Sequence, residues 1–282
     1  MPDPLRYALI HVTSVRAVTP HMMRISFGGD LAGFTSVAPD QQVKLFFGKP
    51  GMDVPVVPQV GADGDTMRWY QAYLAVPEAE RPWMRAYSIR RHRPADNEVD
   101  IDFVLHGDGG PASAWALRAE PGDVIGMLGP TVSHIRTPGP HDWRLIVGDE
   151  TALPAIGAIL EALPAGLPVR VVAEVSGPDE EQDLSSEAAA DVRWVHRGNI
   201  PPGRSGLLLD AVRAMDFPDG AVYAWVAGEA SGVRAVRRHL VNERSVPKRA
   251  IAFTGYWRCD LPQDADPTPD EVAENAEMMA EG

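Results

Sequence analysis

Seven consecutive residues, Arg85-Ala86-Tyr87-Ser88-Ile89-Arg90-Arg91, bring three arginines, a tyrosine and a serine into a segment that otherwise reads as a β-strand. Strand alternation sets Arg85, Tyr87 and Ile89 on one face and Ala86, Ser88 and Arg90 on the other. An exposed strand edge of this kind presents a flat ring, hydroxyls, backbone N–H groups and fixed positive charge together. A flavin nucleotide needs that set, a surface for its ring system and donors for its ribityl and phosphate groups. The same residues also suit a basic edge strand whose arginines discourage aggregation. The segment alone does not separate the two.

A second signal follows it. Glu98 to His106 alternates strictly, with Val99, Ile101, Phe103 and Leu105 on one face, and runs into Gly107-Asp108-Gly109-Gly110-Pro111-Ala112-Ser113-Ala114-Trp115-Ala116-Leu117. A strand thus ends in glycines, and a proline stands where the first helical turn begins. Glycines let a backbone approach closely, and the free N–H groups of a helix start attract anions. The pattern is neither the Walker nor the dinucleotide glycine motif. Such turns are often only structural, but a basic strand just upstream favours a phosphate cradle.

Bulk composition limits the alternatives. The 282 residues suffice for two domains, and 45% hydrophobic with 23% charged residues is the balance of a soluble globular chain. No run approaches the ~20 apolar residues that span a bilayer, and Met1-Pro2-Asp3-Pro4-Leu5-Arg6 lacks an export signal. A formal charge of −13 argues against nucleic acid as a partner. One cysteine, Cys259, excludes an internal disulfide, an iron–sulfur cluster or a structural zinc site, so a cytoplasmic location is expected. Redox chemistry in this chain would need an organic cofactor.

The elements that must position these residues fall into two grammars. Residues 6–18, 22–27, 42–47, 98–106 and 122–128 read with the basic segment as a six- or seven-stranded antiparallel barrel with one helix. Lys44 sits in the apolar run Gln42-Val43-Lys44-Leu45-Phe46-Phe47, where a lysine usually snorkels to solvent from an edge. Residues 49–68 show no period and read as an excursion loop. Thr137-Pro138-Gly139-Pro140 marks the boundary between a domain at 1–138 and one at 141–260. Beyond it, apolar strands near 143–148, 169–176, 192–196, 222–227 and 250–254 alternate with helices near 152–163, 206–215 and 229–244. That order implies a parallel sheet with helices on both sides and ligands at the C-terminal strand ends. The stretch 261–282 is an acidic tail that ends in a short helical pattern.

Four motifs in this order resemble the siderophore-interacting protein family, over about residues 5–258. They are Arg85-Ala86-Tyr87-Ser88; Asp102-Phe103-Val104 with His106-Gly107 and Gly110-Pro111-Ala112-Ser113-Ala114-Trp115-Ala116; Asp149-Glu150-Thr151-Ala152-Leu153-Pro154-Ala155-Ile156; and Gly255-Tyr256-Trp257-Arg258. The resemblance implies a ferredoxin-reductase-like fold, an antiparallel FAD barrel followed by a nicotinamide-nucleotide α/β domain, and a ferric-siderophore reductase using FAD with NADPH or NADH. It places Arg85, Ala86, Tyr87 and Ser88 along the flavin, and Asp102, Val104, His106, Gly109, Pro111, Ala112, Ser113 and Trp115 around its pyrophosphate and adenine. Glu150, Thr151 and Ala152 fall at the nicotinamide nucleotide, and Tyr256 and Trp257 near a ring. No side chain need act as acid or base, and no protein-bound metal is implied. The anionic ferric complex calls for a local positive funnel from Lys44, Arg258 and one of Lys248 or Arg249.

Two positions depart from the family pattern. Gly129-Pro130-Thr131-Val132 stands where an arginine is usual, with His134 or Arg136 as partial replacements, and Cys259 follows the Tyr-Trp-Arg run in place of glycine. Other readings stay open: a broad NAD(P)H:flavin or ferric-chelate reductase, a non-catalytic ferric-siderophore binder, or a barrel-plus-sheet protein without flavin. A monomer is expected, although the sequence leaves oligomeric state open.

Overall fold

The computed structural model describes residues 6–31, 33–52, 54–59, 61, 65–107, 109–131, 138–261, 268 and 272. His134, Arg136 and the helical pattern of the tail lie outside them, apart from Val272. The first sheet comprises β1 (Arg6–Thr19), β2 (Met22–Gly29), β3 (Gln42–Phe47), β4 (Trp83–Ser88), β5 (Arg91–Arg93), β6 (Glu98–Val104) and β7 (Val124–Thr131). Its order is β4-β3-β7-β1-β2-β6-β5, antiparallel at every pairing. Alternation sends Val43, Leu45 and Phe47 of β3 and Val99, Ile101 and Phe103 of β6 into one buried core. Helix α2 (Pro111–Ala116) closes that core, with the Trp115 ring stacked on Phe27 at 6.1 Å.

Three sequence expectations change here. The basic segment is not one strand. It pairs with β3 as far as Ser88, and then Arg90 donates its backbone amide to Asp100 of β6 at 2.9 Å. The chain turns a corner there, carrying Arg90 and Arg91 away from Tyr87. Second, Lys44 is not on an edge, because β3 lies between β4 and β7. Third, the domain has two helices among the described residues. Within and beyond the expected excursion loop, α1 (Thr66–Ala75) starts where the Asp65 carboxylate accepts the Arg68 amide at 3.0 Å. Its Trp69 and Tyr73, one turn apart, each place a ring 5.9 Å from Phe46.

The second sheet comprises β8 (Trp143–Gly148), β9 (Pro168–Val175), β10 (Ala189–His196), β11 (Val222–Glu229) and β12 (Ile251–Trp257). All are parallel, in the order β10-β9-β8-β11-β12. Helix α3 (Leu153–Ala162) covers one face, while α4 (Leu207–Arg213) and α5 (Ala230–Asn242) cover the other. The α3 sequence Leu-Pro-Ala-Ile-Gly-Ala-Ile-Leu is apolar almost all round, because Met22, Val18 and Val104 of the barrel pack into the same core. Among the described residues no helix is long and apolar enough to cross a membrane.

Glycine at the end of β8 lets α3 approach closely. A Cβ on Gly148 would lie 2.5 Å from the Ala152 Cβ and 3.0 Å from the Ala227 carbonyl oxygen. Gly148→Ala is therefore expected to cost about 1–3 kcal/mol by overpacking. A chemical denaturation midpoint equal to that of the parent would contradict this close fit.

Polar contacts fasten the two sheets' domains. Arg90 clamps Glu161 of α3 through both guanidinium nitrogens, at 2.7 and 3.1 Å, and Arg91 adds a bond to the same carboxylate at 3.0 Å. Glu180 accepts from the Thr19 hydroxyl and the His21 amide at the β1–β2 turn. The Trp225 indole donates to Asp40 at 2.9 Å, and both residues are buried. Burial at this seam makes the relative position of the domains a packed feature of the fold.

Candidate functional site: two strand ends facing across a domain seam

Tyr87 stands on the same face of β4 as Arg85, opposite Val43 of β3, with its ring centroid 4.5 Å from that of Phe103. Burial pushes its phenol pKa well up, and the neighbouring Arg85 charge opposes this only in part. Ser88 ends the strand. Beside it, burial raises the Tyr256 phenol to about 12, while the neighbouring Ser88 and Gln42 side chains pull the other way. The end of β4 and the tip of β12 thus meet side chain to side chain, with the Tyr256 ring edge-on to Trp225 at 6.4 Å.

The glycine turn before α2 leaves room for a ligand. A Cβ on Gly107 or Gly109 would meet nothing within 4 Å, and no side chain caps the helix at Gly110. Ser113 builds the turn: its hydroxyl donates to the Gly107 carbonyl at 2.7 Å and accepts the His106 amide at 3.1 Å. The His106 ring lies over Gly110, where a Cβ would come within 2.8 Å. Ala112 and Trp115 are buried in the barrel core, whereas Gly109, Pro111 and Trp115 line one cavity of about 810 Å³. Open backbone at the glycine turn and a cleft walled by Trp115 fit a dinucleotide cofactor such as FAD.

The structure separates Asp102 and Val104 from this surface. Phe103 faces Tyr87, so its neighbours on β6 face the other way. Asp102 instead forms a buried bidentate pair with Arg24 at 2.6 and 2.7 Å, and Val104 packs against the second domain's core. Both support the site from behind.

At the tips of the parallel sheet, Asp149 is a buried junction. It accepts the Thr151 amide and hydroxyl at 2.9 and 2.5 Å, the Glu229 amide at 2.8 Å and the Trp257 indole at 2.8 Å. Thr151 and Trp257 are thereby committed to shaping the turn, and Ala152 is fully buried against Gly148. Glu150 forms a bidentate pair with Arg197, at 2.7 and 2.6 Å, just beyond β10. Burial and the Asp149 charge raise Glu150 to about 7, with Arg197 opposing. Glu174 is similarly pushed up by burial, and the Ser205 hydroxyl donates to it at 2.5 Å. The sequence singled out the Asp149–Thr151 turn but not Arg197 or Glu174. An arginine set between a strand and Gly198 in so acidic a chain was the available signal.

The proposed positive funnel divides. Lys44 shares its face of the barrel with Gln42 of β3 and Ala86 and Ser88 of β4, next to Tyr256. Burial lowers its pKa, and among the described residues no hydrogen bond or ion pair reaches it. Arg258 follows β12 at the tip, where it bridges to Leu261. Lys248 and Arg249 precede β12 in a 3-10 turn, at the opposite end of the strand from Trp257. About seven residues of extended chain, roughly 20 Å, separate them from the seam, so the structure does not bring them to the site.

A seven-stranded antiparallel barrel joined to a five-stranded parallel sheet, with the two meeting at their strand ends, defines the ferredoxin-reductase-like class. Comparison with known proteins narrows this. The siderophore-interacting FAD-binding domain model matches residues 11–134, and the siderophore-interacting protein model matches residues 141–260. The chain belongs to the siderophore-interacting protein family and carries its FAD-binding domain. It is 33% identical over 253 residues to the ferric vibriobactin reductase ViuB of Vibrio cholerae, covering 89% of each chain. It is also 32% identical over 260 residues to the NADPH-dependent ferric-chelate reductase of Escherichia coli, covering 90% of this chain and 94% of the relative. Among solved structures, a siderophore utilization protein from T. fusca superposes with a TM-score of 0.79 at 36% identity, over 93% of this chain and 96% of the other.

Proposed function

We propose that the protein is a ferric-siderophore reductase that takes electrons from NADPH or NADH and passes them through FAD to chelated Fe(III), releasing Fe(II). The observation that carries this reading is the packed seam at which the Tyr256 ring of β12 meets Trp225, 6.4 Å away, and the Trp225 indole donates to Asp40 of the barrel at 2.9 Å. It sets the end of the barrel's aromatic, basic strand against the strand tips where a parallel sheet takes nucleotides. The relatives' names, ferric vibriobactin reductase and ferric-chelate reductase, support the same substrate class.

FAD, when bound, exchanges a two-electron hydride donor for the single electrons that ferric iron accepts. The chain's own contributions are positional. Tyr87 and the α2 turn offer the surface and backbone for the cofactor, and Glu150 with Arg197 borders the proposed nucleotide site. Tyr256 and Trp225 close the seam against water. Lys44, a desolvated cation on the face beside Ser88, supplies local attraction for an anionic ferric complex on a chain of net charge −13.

The test is anaerobic mixing of the FAD-loaded protein with NADPH or NADH, followed by a ferric siderophore and a ferrous trap. Loss of the oxidised flavin absorbance with at least one donor, and its return with Fe(II) formation, is the expected result. A flavin that stays oxidised with both donors overturns the reductase reading and leaves a ferric-siderophore binder.

A further inference from the structure

Glu150 and Arg197 stand on opposite sides of one strand end. Glu150 belongs to the turn after β8, Arg197 follows β10, and β9 runs between those two strands. Two strand spacings are roughly 10 Å, so the ion pair spans the whole width of the β9 tip. Both carboxylate oxygens and both terminal guanidinium nitrogens take part, at 2.7 and 2.6 Å. The backbone beside the pair is open. A Cβ on Gly177, just past β9, or on Gly198, next to Arg197, would meet nothing within 4 Å. The Gly198 amide donates to the Ser176 carbonyl at 2.9 Å, which sets the two turns side by side.

The strand order gives this place a chemical meaning. Numbered within its own domain, the sheet runs 3-2-1-4-5. In that order a dinucleotide lays its diphosphate at the first βα turn and its adenosine ribose at the end of the second strand, here β9. An acid about 20 residues past the first turn binds the ribose diol of NADH, whereas a nearby arginine accommodates the 2′-phosphate of NADPH. Glu174 stands where the acid would, but it is 3% exposed and already accepts the Ser205 hydroxyl at 2.5 Å. That bond withdraws it from a diol. Arg197 stands where the arginine would.

Its present partner is one that a phosphate can displace. A phosphate brings more charge and one more oxygen to the guanidinium fork than a carboxylate does. Burial and the Asp149 charge raise Glu150 to about 7, so a proton from solvent can take the place of the arginine. The other carboxylates nearby, Asp149 and Glu174, are likewise pushed up by burial, which lessens their charge against an incoming anion. NADH carries a hydroxyl at the same carbon and has no anion to exchange for Glu150.

We infer that Arg197 is the donor-specificity residue: it trades Glu150 for the 2′-phosphate of NADPH, and the protein takes NADPH in preference to NADH. This deepens the reductase reading above and rests on it. The test uses the FAD-loaded protein, its Glu150→Gln variant and the double change Glu150→Gln with Arg197→Gln. Flavin reduction by each donor is followed anaerobically, and 2′,5′-ADP and 5′-AMP are titrated by calorimetry as probes of the phosphate alone.

The parent should favour NADPH over NADH in kcat/KM, and 2′,5′-ADP over 5′-AMP in affinity, each by about tenfold or more, the scale of one charge-assisted bidentate contact. In the double variant both preferences should fall to near parity. It removes the two charges together, so no unpaired charge is left buried and the fold is retained. Glu150→Gln keeps an oxygen for one Arg197 bond but removes the competing charge, and should tighten 2′,5′-ADP by about threefold or more. A parent that favours NADH or treats the donors alike overturns the assignment. So does a double variant that keeps the parent's preference, or a Glu150→Gln variant that binds 2′,5′-ADP more weakly. A flavin that neither donor reduces would strike the reductase reading instead, and the calorimetric titrations would still decide the role of Arg197.

Discussion

Arg197→Ala is expected to destabilise the folded protein by about 3–5 kcal/mol, the cost of leaving one member of a buried ion pair alone. The side chains of Arg197 and Glu150 are only 8% and 14% exposed, and both guanidinium nitrogens facing Glu150 are engaged. At this chain length the loss corresponds to a fall in Tm of roughly 10 °C. Its pH dependence distinguishes lost pairing from lost packing. Glu150 is raised to about 7 in the folded chain, by burial and then by Asp149, against an ordinary 4.5. Between those two values the folded state holds more protons than the unfolded one, so its contribution to stability is fully present in acid and falls as pH rises through about 7. Removing Arg197 takes away the charge that opposes the rise, so the window moves to higher pH. The variant should therefore lie closer to the parent at pH 5 than at pH 8, and adding Glu150→Gln should restore part of the loss at pH 8. A deficit that is equal at both pH values would mean that packing of the arginine stem, not charge, accounts for the effect.

Alternation and punctuation made much of this architecture readable. The β6 pattern Val99-Ile101-Phe103 needed only a two-residue period to place its inner face, and the strand–helix order beyond residue 141 sufficed for a parallel sheet. The glycine turn was likewise visible as a chain break before a proline. What stayed hidden was set by pairing across long sequence separations. Nothing local to Arg90 shows that it leaves the strand to clamp Glu161, 71 residues away, and nothing near Glu150 shows that Arg197 answers it from 47 residues away. A run of arginines reads as one basic surface until the fold divides it. Strand order was hidden too. Whether β3 is an edge or an interior strand depends on where β7 returns, and Lys44 changes meaning with the answer: at an edge it is a solvated charge, whereas between β4 and β7 it is half-buried and its charged form is disfavoured.

That desolvated lysine supports the second large expected effect. Lys44→Met should make the protein more stable by about 1 kcal/mol while lowering kcat/KM for an anionic ferric siderophore about tenfold or more. Methionine matches the stem in length and volume, so packing beside Phe46, Ala86 and Leu128 is retained and the burial cost of an ammonium is removed. The sign of the pH dependence follows from its lowered pKa. Between the folded value and 10.5 the folded chain binds fewer protons than the unfolded one, so parent stability rises with pH across that window. The variant should lose that rise. A natural residue that costs stability where a simple apolar replacement fits is best explained by what its charge attracts. The functional loss should appear mainly in KM, shrink as salt screens the parent's advantage, and leave FAD affinity unchanged. With a neutral ferric chelate as acceptor the parent and variant should react alike. A variant that is less stable than the parent, or equally impaired with neutral and anionic chelates, would show that Lys44 holds the barrel face together and does not recruit substrate.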